Sequence, residues 1–269
     1  IPDNQTPIIS IVTDPEAKLS SFGLEYKHAT QTDAFKKTTQ SYTLTIVNAL
    51  ISSMLTGRLD EASKKAETSF VEGGAYYGDI ARSKDAFQIV VHAKQGEEKK
   101  AFNDLLLEIE RLKRFGFTQS EFERAKKDLL ASYEKSYNER DKQKSAGFVR
   151  EYIGHFLQLE AIPGIAWEFE AAKKAFQQEI TLDKVNQTVK GYITDTNLII
   201  DISGPQKEGV VLPTKEEVIT ALSLSSKAKI SPYEEKISNK PLIAKNPLSG
   251  TIVKETTNEM LGTTEWVLN

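Results

Sequence analysis

Cysteine is absent from the 269-residue sequence, which excludes disulfides, cysteine zinc sites and thiol catalysis. The compartment stays open, because periplasmic and cytosolic proteins alike can do without cysteine. Histidine is scarce: His28, His92 and His155 are all there is, and no two are close in sequence. A zinc peptidase helix needs two histidines one turn apart, so that both imidazoles face one ion, with a glutamate to activate water. Neither His-Glu-x-x-His nor its inverse, His-x-x-Glu-His, occurs. No apolar run approaches the ~18–20 residues of a membrane span. Charge of one sign is lacking too: 35 Lys and Arg against 38 Asp and Glu leave a net −3, which makes no global electrostatic case for nucleic acid. A Gly-x-Ser-x-Gly nucleophile elbow is missing. Gly73-Gly74-x-x-x-Gly78 lacks the Lys-Ser/Thr of a phosphate loop. No internal repeat is evident.

What is present is ordinary for a soluble domain, with 39% hydrophobic and 27% charged residues. Residues 8–13 are apolar and β-branched and stop at Asp14-Pro15, as a strand does before a turn. Residues 21–29 alternate, with Phe22, Leu24 and Tyr26 on one face, as in a half-buried strand. From Asp33 to about Lys65 the spacing turns helical, and Gly57 is expected to split that stretch into two helices. Residues 68–80 and 85–94 read as paired strands; Gly73-Gly74 suggests a bulge or a close backbone approach. Phe102, Leu105, Leu106, Ile109 and Leu112 predict a helix closed by Gly116, with Lys113 and Arg114 favourably placed in its last turn.

Thr118-x-x-Glu121 is a capping box for the next helix. Its apolar face runs through Phe122, Ala125, Leu129 and Tyr133; apolar residues return at Phe148, Tyr152 and Phe156 after a mixed-charge stretch over 139–144 that reads as a solvated face. Pro163-Gly164 is a break, helices follow over 165–178 and from Thr181 to about Tyr192, and 197–203 is the last strong strand. Thr214-x-x-Glu217 caps a short helix, and Pro232, Pro241, Pro247, Gly250 and Gly262 mark a connecting arm. The order β-β-α-β-β, helices, β predicts an α+β fold, a largely antiparallel sheet with helices packed on one face.

These residues disclose no active site. Asp60-Glu61 and Glu97-Glu98 sit near helix starts and read as solvated charges. His28 and His92 fall in predicted strands, from which they could approach each other across the sheet. The opening Ile-Pro-Asp-Asn, without Met or signal sequence, and the strand-like close Glu-Trp-Val-Leu-Asn read as the ends of an excised piece.

Several stretches in order resemble the pitrilysin/insulinase family of zinc metallopeptidases. They are Gly57-Arg58-Leu59, Phe70-Val71-Glu72-Gly73-Gly74, the run from Glu108 to Thr118, and Glu121-Phe122-Glu123-Arg124-Ala125-Lys126. Gly204-Pro205 and the tail from Gly262 to Asn269 resemble bacterial members. The resemblance implies a domain of the pitrilysin/mitochondrial processing peptidase type over 1–205, a helical extension over 206–230 and a linker arm over 231–269 leading into a next domain. It further implies the second, non-catalytic domain of the N-terminal half of a zinc endopeptidase, with no catalytic or metal residue here and the zinc held in the parent enzyme's first domain. The Arg and Tyr of the family's substrate-clamping domain have no counterpart near Lys64 and Phe70-Val71. Partners implied are the other domains of the same polypeptide and peptide substrates. The expected peptide-binding strand is Val71, Glu72, Gly73, Gly74 and Ala75, taking peptide as an added strand. An extracytoplasmic, periplasmic site is expected. The alternative is an inactive peptide-binding or scaffold subunit that pairs with a separate catalytic chain.

Overall fold

The computed structural model describes residues 1–235, 243, 245 and 247–269. Pro241 of the predicted arm lies outside the described residues. The chain forms two units, Ile1–Tyr233 and Glu234–Asn269.

In the first unit, β1 (Ile8–Asp14) and β2 (Ser20–Ala29) lead through a one-turn α1 (Asp33–Lys36) into α2 (Thr39–Ser63). β3 (Phe70–Ala81) and β4 (Lys84–Ala93) follow, then α3 (Glu98–Phe115), α4 (Gln119–Asn138), α5 (Ser145–Gln158), α6 (Ile165–Gln178) and α7 (Leu182–Tyr192). β5 (Leu198–Pro205) and α8 (Lys215–Ser225) complete it. The five strands form one sheet in the order β1-β5-β2-β4-β3. Pairing is antiparallel except between β1 and β5, which run parallel. Phe22, Leu24 and Tyr26 of β2, Phe87, Ile89 and Val91 of β4, and Ile200 and Ile202 of β5 are buried. They meet the helix layer through residues such as Leu50, Leu55, Phe102 and Leu105.

Two local predictions need correction, Gly57 as a helix break and Glu98 as a solvated charge. Glu98 is buried and accepts from the Gly96 N–H at 3.1 Å. Of the two readings of Gly73-Gly74, the close approach holds. Gly57 does not interrupt α2, which runs unbroken for 25 residues. Its Cα faces open space, while Met54, Leu55, Arg58 and Leu59 on either side are buried. One glycine costs about 1 kcal/mol in a helix, less than that burial returns. In β3 the first register shift falls between Phe70 and Glu72, not at the glycine pair. Gly73 is the close approach: a Cβ there would stand 2.9 Å from Val91 Cγ1 and 3.2 Å from Leu59 Cδ1 of α2.

The predicted caps are in place. Thr118 and Glu121 satisfy each other's backbone amides at the start of α4, as do Thr214 and Glu217 at α8. Gly116 closes α3 with φ +72. In the second unit, part of the predicted arm is a hairpin, β6 (Ile252–Asn258) paired antiparallel with β7 (Thr263–Leu268). Gly262 (φ +62) supplies the left-handed residue at its turn.

Candidate functional site

Among the described residues, β3 is an edge of the five-stranded sheet, with β4 on one side and no strand on the other. Val71, Glu72, Gly73, Gly74 and Ala75 therefore all lie on an edge strand, and Val71 and Glu72 are exposed. The Ala75 amide donates to Thr56 Oγ1 of α2 at 3.0 Å, so it points away from β4. Backbone groups alternate in direction along an antiparallel strand. Those of Gly73 and Tyr77 thus point outward with Ala75, while those of Gly74 and Tyr76 serve the ladder to β4. An unpaired edge of this kind is a template for another extended chain.

Beside the C-terminal part of β3, from Tyr76 to Ala81, lies a cleft of about 850 Å³; the predicted strand residues Val71 to Ala75 adjoin it along β3 and are not among its lining. Its floor includes Ser41, Thr45, Asn48 and Ser52, one side of α2. Its walls include Tyr76, Asp79, Phe156 and Trp167. Tyr42 meets Trp167 edge to face, with centroids 5.0 Å apart, and its hydroxyl donates to Tyr133 Oη at 3.1 Å. Asp85 also lines the cleft. Burial raises its carboxyl pKa, against the pull of Thr30 and Lys36.

An aromatic cluster adjoins the cleft. Tyr77 and Tyr192 stack with centroids 4.4 Å apart, and His28 packs 5.1 Å from Tyr192. Tyr192 Oη donates to Asn48 Oδ1 at 2.7 Å. Burial pushes the Tyr77 phenol up to about 12, so it stays protonated at neutral pH. His28 Nε2 is buried with no hydrogen-bond partner among the described residues, and burial lowers the histidine's pKa. The unfolded chain, with an ordinary histidine pKa of about 6.5, therefore takes up a proton that the folded chain resists. The stabilisation is complete above about 6.5 and is lost as the pH falls through the folded-state value. Denaturant titrations at pH 7.5 and 5.5 should show the chain weaker at the lower pH, and His28→Phe should reduce that difference. An unchanged difference would remove His28 as its source.

The two strand histidines do not meet. His28 is opposite Asp85 and His92 opposite Ser21, seven residues apart along β4. The odd spacing puts them on opposite faces as well. Among the described residues, no group of three or more His, Asp or Glu could hold a metal ion. The donor set does not fit zinc, and no hydrolytic step is derived through a metal in this chain. Among the described residues, no helix is long and apolar enough to cross a membrane.

Sequence reasoning missed the cleft wall. Phe148, Tyr152 and Phe156 were visible as an apolar recurrence, yet α5 buries none of its residues. Periodicity identifies a stripe and not what covers it.

No family model matches the sequence. Over 161 residues the chain is 25% identical to the zinc protease PQQL-like protein of Arabidopsis thaliana, which is 60% of this chain and 17% of that protein. It is similar to the periplasmic protease PqqL of Escherichia coli, with a TM-score of 0.78 and 16% identity over 99% of this chain and 29% of PqqL. Against the separate structure of the first half of PqqL the TM-score is 0.78 at 15% identity, covering 87% of this chain and 50% of that one. The inactive domain of a peptidase M16 from Pseudomonas fluorescens matches with a TM-score of 0.52 and 14% identity, over 77% of this chain and 45% of that one. The chain thus spans under a third of the full-length proteins, PqqL and the Arabidopsis protein, and half or less of the two shorter structures. Its fold is that of the M16 peptidases, the pitrilysin/insulinase type that the sequence resembles.

Proposed function

We propose that this chain is the second, non-catalytic domain in the N-terminal half of a zinc endopeptidase, and that it holds peptide against the outer edge of β3. The observation that carries the reading is the open β3 edge beside a cleft, with outward backbone groups at Gly73, Ala75 and Tyr77. Strand addition recognises backbone and tolerates many sequences, which suits the wall of a peptidase chamber. A docking strand takes the Ala75 amide over from Thr56. The likeness to the first half of PqqL supports the position in the parent chain. The likeness to a protein named a zinc protease supports zinc in the parent enzyme. The periplasmic location of PqqL supports the same compartment here. A second reading, an inactive subunit serving a separate catalytic chain, draws on the likeness to the inactive M16 domain.

The test uses an octapeptide of alternating threonine and leucine, with binding followed by calorimetry. N-methylation of every second amide removes donors from one edge of the peptide only. Methylation in one register should weaken binding at least about tenfold, from the loss of two or more hydrogen bonds, and the other register should leave it unchanged. Equal effects in both registers, or no binding, would reject strand addition. With zinc and a fluorogenic peptide the chain should show neither tight binding nor turnover; zinc-dependent turnover would refute the non-catalytic reading.

A further inference from the structure

α5 is amphipathic, yet its apolar stripe faces solvent. Tyr152, Ile153, Phe156 and Leu157 are each more than half exposed, Phe156 to 81%. Exposed apolar surface of this extent marks a contact site more often than chance. The last turn of α5 is fixed in place: Gln158 Nε2 donates to Asp79 Oδ2 of β3 at 3.1 Å, and Lys36 Nζ donates to the Gln158 carbonyl at 3.0 Å. Leu159, left-handed at φ 60, then turns the chain away. Phe156 and Leu157 are thereby set at the cleft beside the β3 edge, along with Tyr42, Tyr76 and Trp167. From α2 the lining also takes the polar Ser41, Thr45, Asn48 and Ser52.

Side chains of an added strand alternate between two faces. Those turned toward the helix layer enter this cleft. Acidic and basic groups both line it, among them Lys36, Lys37, Arg82, Asp33, Asp79 and Asp85, so net charge gives it little selectivity. Its large apolar surface is gathered in a few side chains, Tyr42, Tyr76, Phe156, Leu157 and Trp167. We infer that the cleft is a side-chain subsite, and that it selects extended peptides carrying large apolar residues, leucine or phenylalanine, at alternate positions. This rests on the strand-addition reading above and deepens it. The occupant follows from continuity between the wall and the open backbone edge: an extended chain satisfies the edge while its alternate side chains cover the wall.

The experiment compares the threonine–leucine octapeptide with a threonine–serine octapeptide, measured by calorimetry on the 269-residue chain. The leucine peptide should bind about tenfold or more tightly, the return on burying two or more apolar side chains. The double variant Phe156→Ser/Leu157→Ser alters two exposed side chains, and a thermal melt confirms its fold. It should reduce the preference to within about twofold. An undiminished preference in the variant, or none in the original chain, overturns the subsite. The remaining outcome is no preference in either chain. If register-dependent N-methylation still abolishes binding in that case, strand addition stands and only the subsite fails. If neither peptide binds, both fall.

Discussion

The chain with Arg58 replaced by alanine should unfold about 10 °C below the original, a loss of about 3–5 kcal/mol. The Arg58 side chain is 1% exposed. It sends Nε and Nη2 to the two carboxylate oxygens of Glu121 at 2.5 and 2.8 Å, Nη1 to Glu108 at 3.2 Å, and Nη2 also to the Gly116 carbonyl at 2.8 Å. Its guanidinium lies 4.9 Å from the Phe117 ring and 4.3 Å from that of Tyr233. Removing it strips Glu121, itself buried, of both guanidinium hydrogen bonds. Lysine should not rescue, because a point charge cannot serve two carboxylates and a carbonyl in one plane. The double variant Arg58→Met/Glu121→Gln should lose less than the sum of its singles.

The penalty also carries a pH signature. Burial already raises the Glu108 pKa, with Arg111 and Arg58 drawing it back. Without Arg58 it rises further, and the protonated form costs little to bury. Stability of the variant is then held at low pH and lost as pH climbs through the folded-state value, so the deficit should be larger at pH 7.5 than at pH 5. Thermal melts followed by far-UV circular dichroism at both values check this. A deficit below about 1 kcal/mol at neutral pH would mean that solvent, not Arg58, satisfies these carboxylates.

Gly116→Val should cost about 3 kcal/mol. With ψ −161, the φ of +72 puts Gly116 in a backbone region that essentially only glycine adopts, and an L residue there loses of order 1–3 kcal/mol. A Cβ would also stand 2.6 Å from the Asn186 side chain. That amide accepts from the Phe117 N–H at 2.7 Å and donates to the Phe117 carbonyl at 3.1 Å. Displacing it leaves two backbone groups short of partners. In an Asn186→Ala background the same substitution should cost less, because the clash is already gone. Denaturant midpoints of the four chains decide it; equal costs in both backgrounds would place the damage in the backbone alone.

Local signals carried most of the fold. Phe22, Leu24 and Tyr26 announce β2 by alternation, and Thr118 with Glu121 marks the start of α4 within one residue. Errors arose where tertiary contacts overrule a local preference. Gly57 reads as a breaker, but burial on both sides keeps α2 unbroken. The parallel pairing of β1 with β5 has no local signature, since adjacency in sequence favours antiparallel neighbours. The candidate site was half legible. The Gly73-Gly74 strand stood out by composition and resemblance, whereas its edge position depends on sheet order. The wall at Phe156 and Trp167 depends on how α5 and α6 fold back, which no spacing rule encodes.

The place of β5 has a consequence for biosynthesis. β5 inserts between β1 and β2, pairing Ile8 with Ile199 and Tyr26 with Leu198. β1 has no other strand neighbour in its sheet. As the chain leaves the ribosome, β1 must wait for about 190 further residues before it finds its partner. At roughly 5–20 residues per second that interval is about 10–40 s. Throughout it, β1's Ile8, Ile9 and Ile11 and the inner edge of β2 stand open. Vectorial synthesis thus makes completion of the first unit an all-or-nothing event near residue 205, and a nascent chain stalled earlier is a natural client for chaperones.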